Sequence, residues 1–229
     1  MELRENLSRS WEFMKGLTED IGNLIILIII GVIPIINIIL VGYAAKITRL
    51  GEAIDKPPKI GEYVSNFIEG VKVLIIIIIY SIFPLIIFSV FLGLAIISEY
   101  GVHPLIYPGE LITVLSKGLA ALGILIASII GFIIFIFGAM GIIHMIKTDS
   151  FGAAFNISEI LDLIRSVGWS RYLGWLIIIY VLSIIVTSIS SLHWIISAIL
   201  NVFFIVFLAR SAHYIYPMKE EVSQLQFNL

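Results

Sequence analysis

The chain has no cysteine, which excludes disulfides, thiolate metal sites and a cysteine nucleophile together. Charge is nearly as scarce: acidic and basic residues make up 13% of the sequence, against roughly 25% in soluble domains, and leave a net charge of −2. A balance so close to zero argues against nucleic acid or another large electrostatic partner. The four histidines, His103, His144, His193 and His213, lack the spacing that puts two metal ligands on one helix face, so no metal and no cofactor is expected. The start also lacks the positive region of a cleaved signal, because Glu2, Glu5, Glu12, Glu19 and Asp20 occupy it; the first apolar run is expected to remain as an anchor.

What the chain does have is apolar length. Hydrophobic residues make up 60% of it and mean hydropathy is +1.10, values that belong in lipid. Five runs reach the roughly 20 residues that a crossing needs, at about 22–46, 70–98, 111–146, 172–191 and 194–216. Isoleucine tracts such as 75–79 favour strands in water because β-branching restricts χ1. In a bilayer the helix wins, since it satisfies every backbone group within its own segment. The reading is one integral membrane domain over 1–229, an all-α polytopic bundle with about five spanning helices.

Three amphipathic stretches accompany these runs. In 1–21, Leu3, Leu7, Trp11, Met14 and Ile21 recur at helical spacing opposite Arg4, Glu5, Arg9, Glu12 and Lys15. In 58–69, Ile60, Tyr63, Val64 and Phe67 oppose Lys59, Glu62, Asn66 and Glu69, with Pro57 and Pro58 as helix starters. In 156–167, Ile157, Ile160, Leu161, Ile164 and Val167 face away from Glu159, Asp162 and Arg165, and Asn156 with Glu159 reads as a capping box. Each leads into a spanning run, so each is expected to lie in the headgroup layer, apolar face in lipid, and to turn inward at Gly22, Gly70 or Gly168.

The order spanning run, loop, amphipathic helix, spanning run occurs over 22–98 and again over 111–191, which suggests an internal duplication. Asn37 precedes Lys46, and Asn201 precedes Arg210, by the same interval, with Ala45 and Ala209 just before the cation. Lys46, Arg49, Lys56, Lys59, Lys72, Lys147, Arg165, Arg171, Arg210 and Lys219 fall at ends that belong together on the cytoplasmic side, leaving Lys117 for the other. This predicts a multi-pass protein of the plasma membrane with a cytoplasmic C-terminus. Arg4, Arg9 and Lys15 are the misfit, since five full crossings put them outside. Full crossing of 22–46 is the expectation; a run that enters and returns, broken near Gly31, Pro34 and Asn37, is the alternative.

The stretches "GYAAKITRL" at 42–50, "FIEGVKVLIIIIIYSIFP" at 67–84 and "FNISEILDLIRSVGWSRYLGWL" at 155–176 resemble the prokaryotic, largely archaeal membrane family catalogued as domain of unknown function number 4013. Gly42, Tyr43, Gly70, Lys72, Tyr80, Pro84, Phe155, Glu159 and Tyr172 fall in that family's order, and "HWIISAIL" departs from its proline-containing entrance to the last helix. The resemblance implies an all-helical integral membrane protein and brings no activity or catalytic residue.

Two constellations remain. Ser183, Thr187, Ser190 and Ser191 share a face of the fourth run, which Ser197, Asn201 and Asn37 are placed to meet, either as interhelical glue or as the lining of a hydrated path. Gly123, Ala127, Gly131 and Gly138 form a small-residue stripe that admits a close helix, within the bundle or from a second copy of the chain. Ionisable groups are nearly absent from the spans, so no enzyme activity is expected. The first-choice function is a membrane organiser or complex subunit, with the lipid bilayer and a membrane-protein partner as its contacts. A channel or transporter for a small solute is the alternative, and a lipid-active enzyme ranks below both.

Overall fold

The computed structural model describes residues 1–100, 110–190 and 193–217, with side chains over 1–97, 114–189 and 193–217. Its described residues form eight α-helices: α1 (Leu3–Lys15), α2 (Ile21–Val32), α3 (Ile38–Leu50), α4 (Tyr63–Tyr100), α5 (Glu110–Thr148), α6 (Ile157–Val167), α7 (Trp169–Ser190) and α8 (Trp194–Ile215). Of these, α4, α5, α7 and α8 are long and apolar enough to cross a membrane. Their outer faces are those of a protein dissolved in lipid: Ile77, Ile78, Ile79 and Phe83 on α4, Leu122 and Ile126 on α5, and Ile177, Val181 and Ile184 on α7 are all exposed. The chain is an all-helical multi-pass membrane protein.

The run 22–46 is not a fifth crossing. It breaks at 33–37 into α2 and α3 because Pro34 forces the residue before it out of the helical region, and Ile33 is extended at φ −84°, ψ 116°. Ile35 follows at φ 72°. The 12 residues of α2 and 13 of α3 span about 18 and 20 Å, short of the roughly 30 Å hydrocarbon core. The start of α2 meets the segment that follows α3: Asn23 Oδ1 accepts from the Ile60 N–H at 2.7 Å, and Tyr43 donates to the Pro58 carbonyl at 2.7 Å. Lys59 pairs with Asp20 at 3.1 Å. The run folds back on itself, which puts α1 at the same end as the loop carrying Lys56.

Contacts group the chain into two compact units, Met1–Ile75 with Ala139–Leu229, and Ile76–Gly138. At the centre of the first is α8, packed against α1, α2, α3 and α7, with Val202 and Val206 fully buried. Here α3 crosses the start of α4 on two reciprocal notches. A Cβ at Gly42 would lie 2.8 Å from Asn66 Cα and overlap its carbonyl, and one at Gly70 would lie 3.0 Å from the Ile38 carbonyl carbon. In the second unit α4 and α5 run antiparallel, as the partners show: Tyr80 with Gly138, Pro84 with Gly131, Phe91 with Gly123.

The amphipathic stretches differ from their expected placement. No separate helix covers 58–69; α4 starts at Tyr63 and continues without a break through Gly70, whose small size serves the α3 crossing rather than a bend. Asn66, expected on the wet face, is buried at that crossing, while Val64 and Ile68 are exposed. In α6 Ile160, Ile164 and Val167 of the expected stripe turn inward together with Leu163 while Ile157 is exposed, and Asn156 accepts from the Glu159 N–H at 3.4 Å, but Ile160 and Ile164 are fully buried against protein instead of inserted in lipid. The chain turns from α6 to α7 at Gly168, φ 90°, a conformation that side chains disfavour. In α1 the inward residues are Asn6, Ser10, Phe13, Met14 and Leu17 in the turn beyond it, so Trp11 is left exposed. The two halves proposed as a duplication open differently, one with a broken hairpin and the other with the continuous α5.

Candidate functional site

The polar chemistry of the chain converges on one end of the first unit, where α1, the ends of α3, α5 and α8, the starts of α4 and α7, and α6 meet. All the lysines and arginines except Lys117 and Lys219 belong to these elements or, as Lys56 and Lys59, to the segment that joins α3 to α4, and Lys219 lies outside the described residues. Three clusters organise this end.

The first is a buried hydrogen-bond network between α1, α7 and α8. Asn6 Nδ2 donates to the Ser211 carbonyl at 3.1 Å, and Ser211 Oγ donates to Asn6 Oδ1 at 2.9 Å. Trp175 Nε1 donates to Ser211 Oγ at 2.7 Å, and Ser10 Oγ reaches the Asn6 carbonyl at 2.8 Å. Such fully paired groups fix the register of three helices without needing a ligand.

The second links α3, α4 and α5. Arg49 Nε donates to the Ile146 carbonyl at 3.1 Å, and Nη2 reaches Glu69 at 2.8 Å and Asp149 at 3.1 Å. Glu69 also accepts from Lys72 at 2.7 Å. Beside it, Arg210 donates to the Gly51 carbonyl, and Lys147 Nζ bonds to His213 Nδ1. His213 lies against Gly51, at φ 53°, where a Cβ would strike the imidazole ring.

The third is a Tyr–His–carboxylate chain. His144, 6% exposed, has Nδ1 at 2.9 Å from the Tyr216 hydroxyl and Nε2 at 2.9 Å from Glu159 Oε2. Hydroxyl, imidazole and carboxylate in that order form the geometry that activates a nucleophile. Here burial, and then the Glu159 charge, push the Tyr216 hydroxyl above its ordinary range, the direction opposite to activation. The stacked His144 and Tyr216 rings, 6.0 Å apart, instead tie α5 to the segment after α8, and the Glu159 bond adds α6.

The residues singled out from the sequence lie elsewhere. Ser183 Oγ donates back to the Tyr180 carbonyl at 2.7 Å, and Asn201 Nδ2 to the Ser197 carbonyl at 2.8 Å and Ser197 Oγ at 3.2 Å, each within its own helix. Thr187 and Asn201 are exposed on the outer surface, and Asn37 is exposed in the turn before α3. The side chain of Ser190, and Ser191 and His103, fall outside the described residues. The stripe fares differently: Ala127 is buried, Gly123, Gly131 and Gly138 face α4, and beside them runs an open recess lined by Ser81, Pro84, Leu85, Phe88, Ala127 and Ser128. Ser81 and Ser128 donate to carbonyls of their own helices, so the recess is chemically apolar.

Residues 25–195, from α2 into the first turn of α8, match the family described as protein of unknown function (DUF4013). The chain belongs to that family. No curated protein and no solved structure matches it. The DUF4013 match takes in Arg49, Glu69, His144 and Glu159 but stops short of Asn6, Arg210, Ser211, His213 and Tyr216, which complete the three clusters. Sequence reasoning treated those histidines as scattered, because their partners stand 15 to 72 residues away. The available signal was Arg210, a cation in an apolar run with no acid between Asp162 and Glu220.

Proposed function

We propose that this DUF4013 protein is a non-catalytic membrane organiser or complex subunit, seated in the plasma membrane with its polar end in the cytoplasm. The observation that carries this is the direction of the polar groups. Within the spans Ser81, Ser128, Ser183 and Asn201 turn onto their own helices, so these four do not combine into a shared polar track for a permeant. Cations gather at one end, the side that lysine and arginine bias assigns to the cytoplasm, and carboxylates tie them into a surface suited to headgroups or to a membrane-protein partner. The broken run of α2 and α3 favours a second reading, a channel or transporter for a small solute, because discontinuous helices build such sites. Against it, the N–H groups of 37–40 bond to the carbonyls of 33, 35, 36 and 37, so those donors are not free to hold a solute.

Flux and stability measured on one preparation test this reading. Proteoliposomes should be no leakier to water, ions or small polyols than empty vesicles, and Asn201→Leu should leave both flux and melting temperature near wild type. Protein-dependent flux that Asn201→Leu abolishes without unfolding would overturn it in favour of transport.

A further inference from the structure

Lys147 and Arg210 combine withdrawal from water with the lack of a carboxylate partner among the described residues. At this end the acids go to more exposed cations: Glu5 and Glu52 to Arg9, Glu19 to Lys56, Glu62 to Lys46, Asp162 to Arg165. Arg210 is 6% exposed; its guanidinium lies against the rings of Phe13 at 4.4 Å and Tyr214 at 4.9 Å, and its buried Nε has no hydrogen-bond partner among the described residues. Lys147, half-buried, has His213 Nδ1 as its hydrogen-bond acceptor, and that ring is also engaged by the Thr48 backbone. The two cations repel each other.

A buried cation requires a counter-charge or dense hydrogen bonding. The C-terminal ends of α5 and α8 and the two aromatic rings supply part of the compensation. They cannot neutralise two full charges, and neither α7 nor α8 carries an acid, since none occurs between Asp162 and Glu220. Lys147 sits in the last turn of α5 and Arg210 in the last two turns of α8, the level at which spanning helices reach headgroup phosphates. An ammonium beside a guanidinium is a donor set that phosphate oxygens satisfy.

We propose that Lys147 and Arg210 hold a phosphate group, carried by an anionic phospholipid headgroup or taken from solution as free phosphate. The half-buried ammonium is the accessible contact and the clamped guanidinium the fixed one. This deepens the organiser reading and rests on it, by making lipid or phosphate capture the business of the polar end.

The test is native mass spectrometry of the full chain, delipidated in detergent and offered phosphatidylglycerol, phosphatidylcholine or inorganic phosphate. Wild type should retain phosphatidylglycerol in preference to phosphatidylcholine. Lys147→Met should weaken that retention about tenfold, the size of one lost charge-assisted contact. Arg165→Gln, which removes an exposed paired cation, should not weaken it. Arg210→Lys keeps the charge but loses the guanidinium fork, so it should also bind less; it decides the matter if Lys147→Met fails to fold by circular dichroism. Retention of inorganic phosphate without lipid preference, abolished by the same variants, assigns the site to free phosphate and supports the same chemistry.

Binding unchanged in both variants overturns the proposal, as does an equal loss in Arg165→Gln, which would mark diffuse surface charge. Glu220→Gln with Glu221→Gln should leave binding as it is; a several-fold rise would mean that the chain supplies its own counter-ion and would also overturn it. Vesicle flux reports on the organiser reading alone, so the two failures are distinguishable.

Discussion

Adding one methyl group to Gly42 should loosen the helix crossing that seats the re-entrant hairpin. In Gly42→Ala the new carbon would lie 2.8 Å from Asn66 Cα and overlap the Asn66 carbonyl. Carbon–carbon contact needs about 3.5–4.0 Å and carbon–oxygen contact about 3.3 Å, and the carbonyl oxygen stands nearer than Cα, so α3 and α4 must separate by well over ~1 Å. Backbone is what stands in the way, and backbone cannot rotate aside as a side chain can. Overpacking of this kind costs about 1–3 kcal/mol, and the upper end applies because Gly70 against Ile38 shares the same crossing. Alanine recovers close to 1 kcal/mol of helix propensity, leaving a net loss of about 2 kcal/mol. Gly131→Ala is the matched control: its Cβ would sit 3.6 Å from Pro84 Cβ, ordinary contact, so only the propensity gain remains and stability should rise by up to about 1 kcal/mol. Reversible unfolding in mixed micelles, followed by tryptophan fluorescence, measures both. Equal stability of Gly42→Ala and wild type, or destabilisation by Gly131→Ala as large as by Gly42→Ala, would refute the reasoning that backbone approach, not glycine content, decides the cost.

The hairpin also predicts topology: single cysteines at Ser8 and Ser158, introduced into a chain with no native thiol, should react with an impermeant maleimide from the same side of the membrane, and labelling from opposite sides would restore a full crossing of 22–46. His144→Ala should free α6, leaving Glu159 and Tyr216 without their described shared partner at a cost of about 1–3 kcal/mol; faster amide exchange in 157–167 than in α8 would show it, and uniform exchange would not fit. Asp20 caps α2 through the Asn23 N–H at 3.0 Å, and this bond, followed by Lys59, holds its carboxyl below the ordinary 3.8. Its stabilisation is therefore present above that value and lost as pH falls through the lowered one, so the difference between wild type and Asp20→Asn should close below about pH 4; a difference constant from pH 7 to pH 2 would count against it.

The helical class was legible because isoleucine tracts of spanning length have one solution in lipid, and the turn at Gly168 was legible because capping by Asn156 marks the preceding helix start. The rotation of α1 was not. Asn6 and Ser10 look like wet-face residues until Ser211, 205 positions away in the Asn6 hydrogen bond, turns them inward, and periodicity alone carries no information about such a partner. Gly70 was misread for a related reason: a glycine between a polar and an apolar stretch resembles a hinge, while its actual neighbour, Ile38, lies across the hairpin. Ser183 and Asn201 were over-read, since a polar group in lipid needs only a carbonyl, and the nearest one is on its own helix.

These misreadings share a physical origin. In water, burial of apolar faces brings helices together and a helical stripe predicts the contact. In lipid the surrounding tails are as apolar as leucine, so a stripe of isoleucines on α4 or α7 has no preference between lipid and protein. Contacts are then selected by what lipid cannot supply: close backbone approach at Gly42 and Gly70, and hydrogen bonds among Asn6, Ser211 and Trp175 or between Asn23 and Ile60. Almost all of these lie at the polar end. The spans can therefore tolerate exchange of one aliphatic residue for another, while the identity of the fold depends on a few small and polar residues at the membrane surface. It is the same end at which Lys147 and Arg210 carry charge without a described carboxylate partner, so the part of the molecule that specifies the structure is also the part to which the phosphate proposal applies.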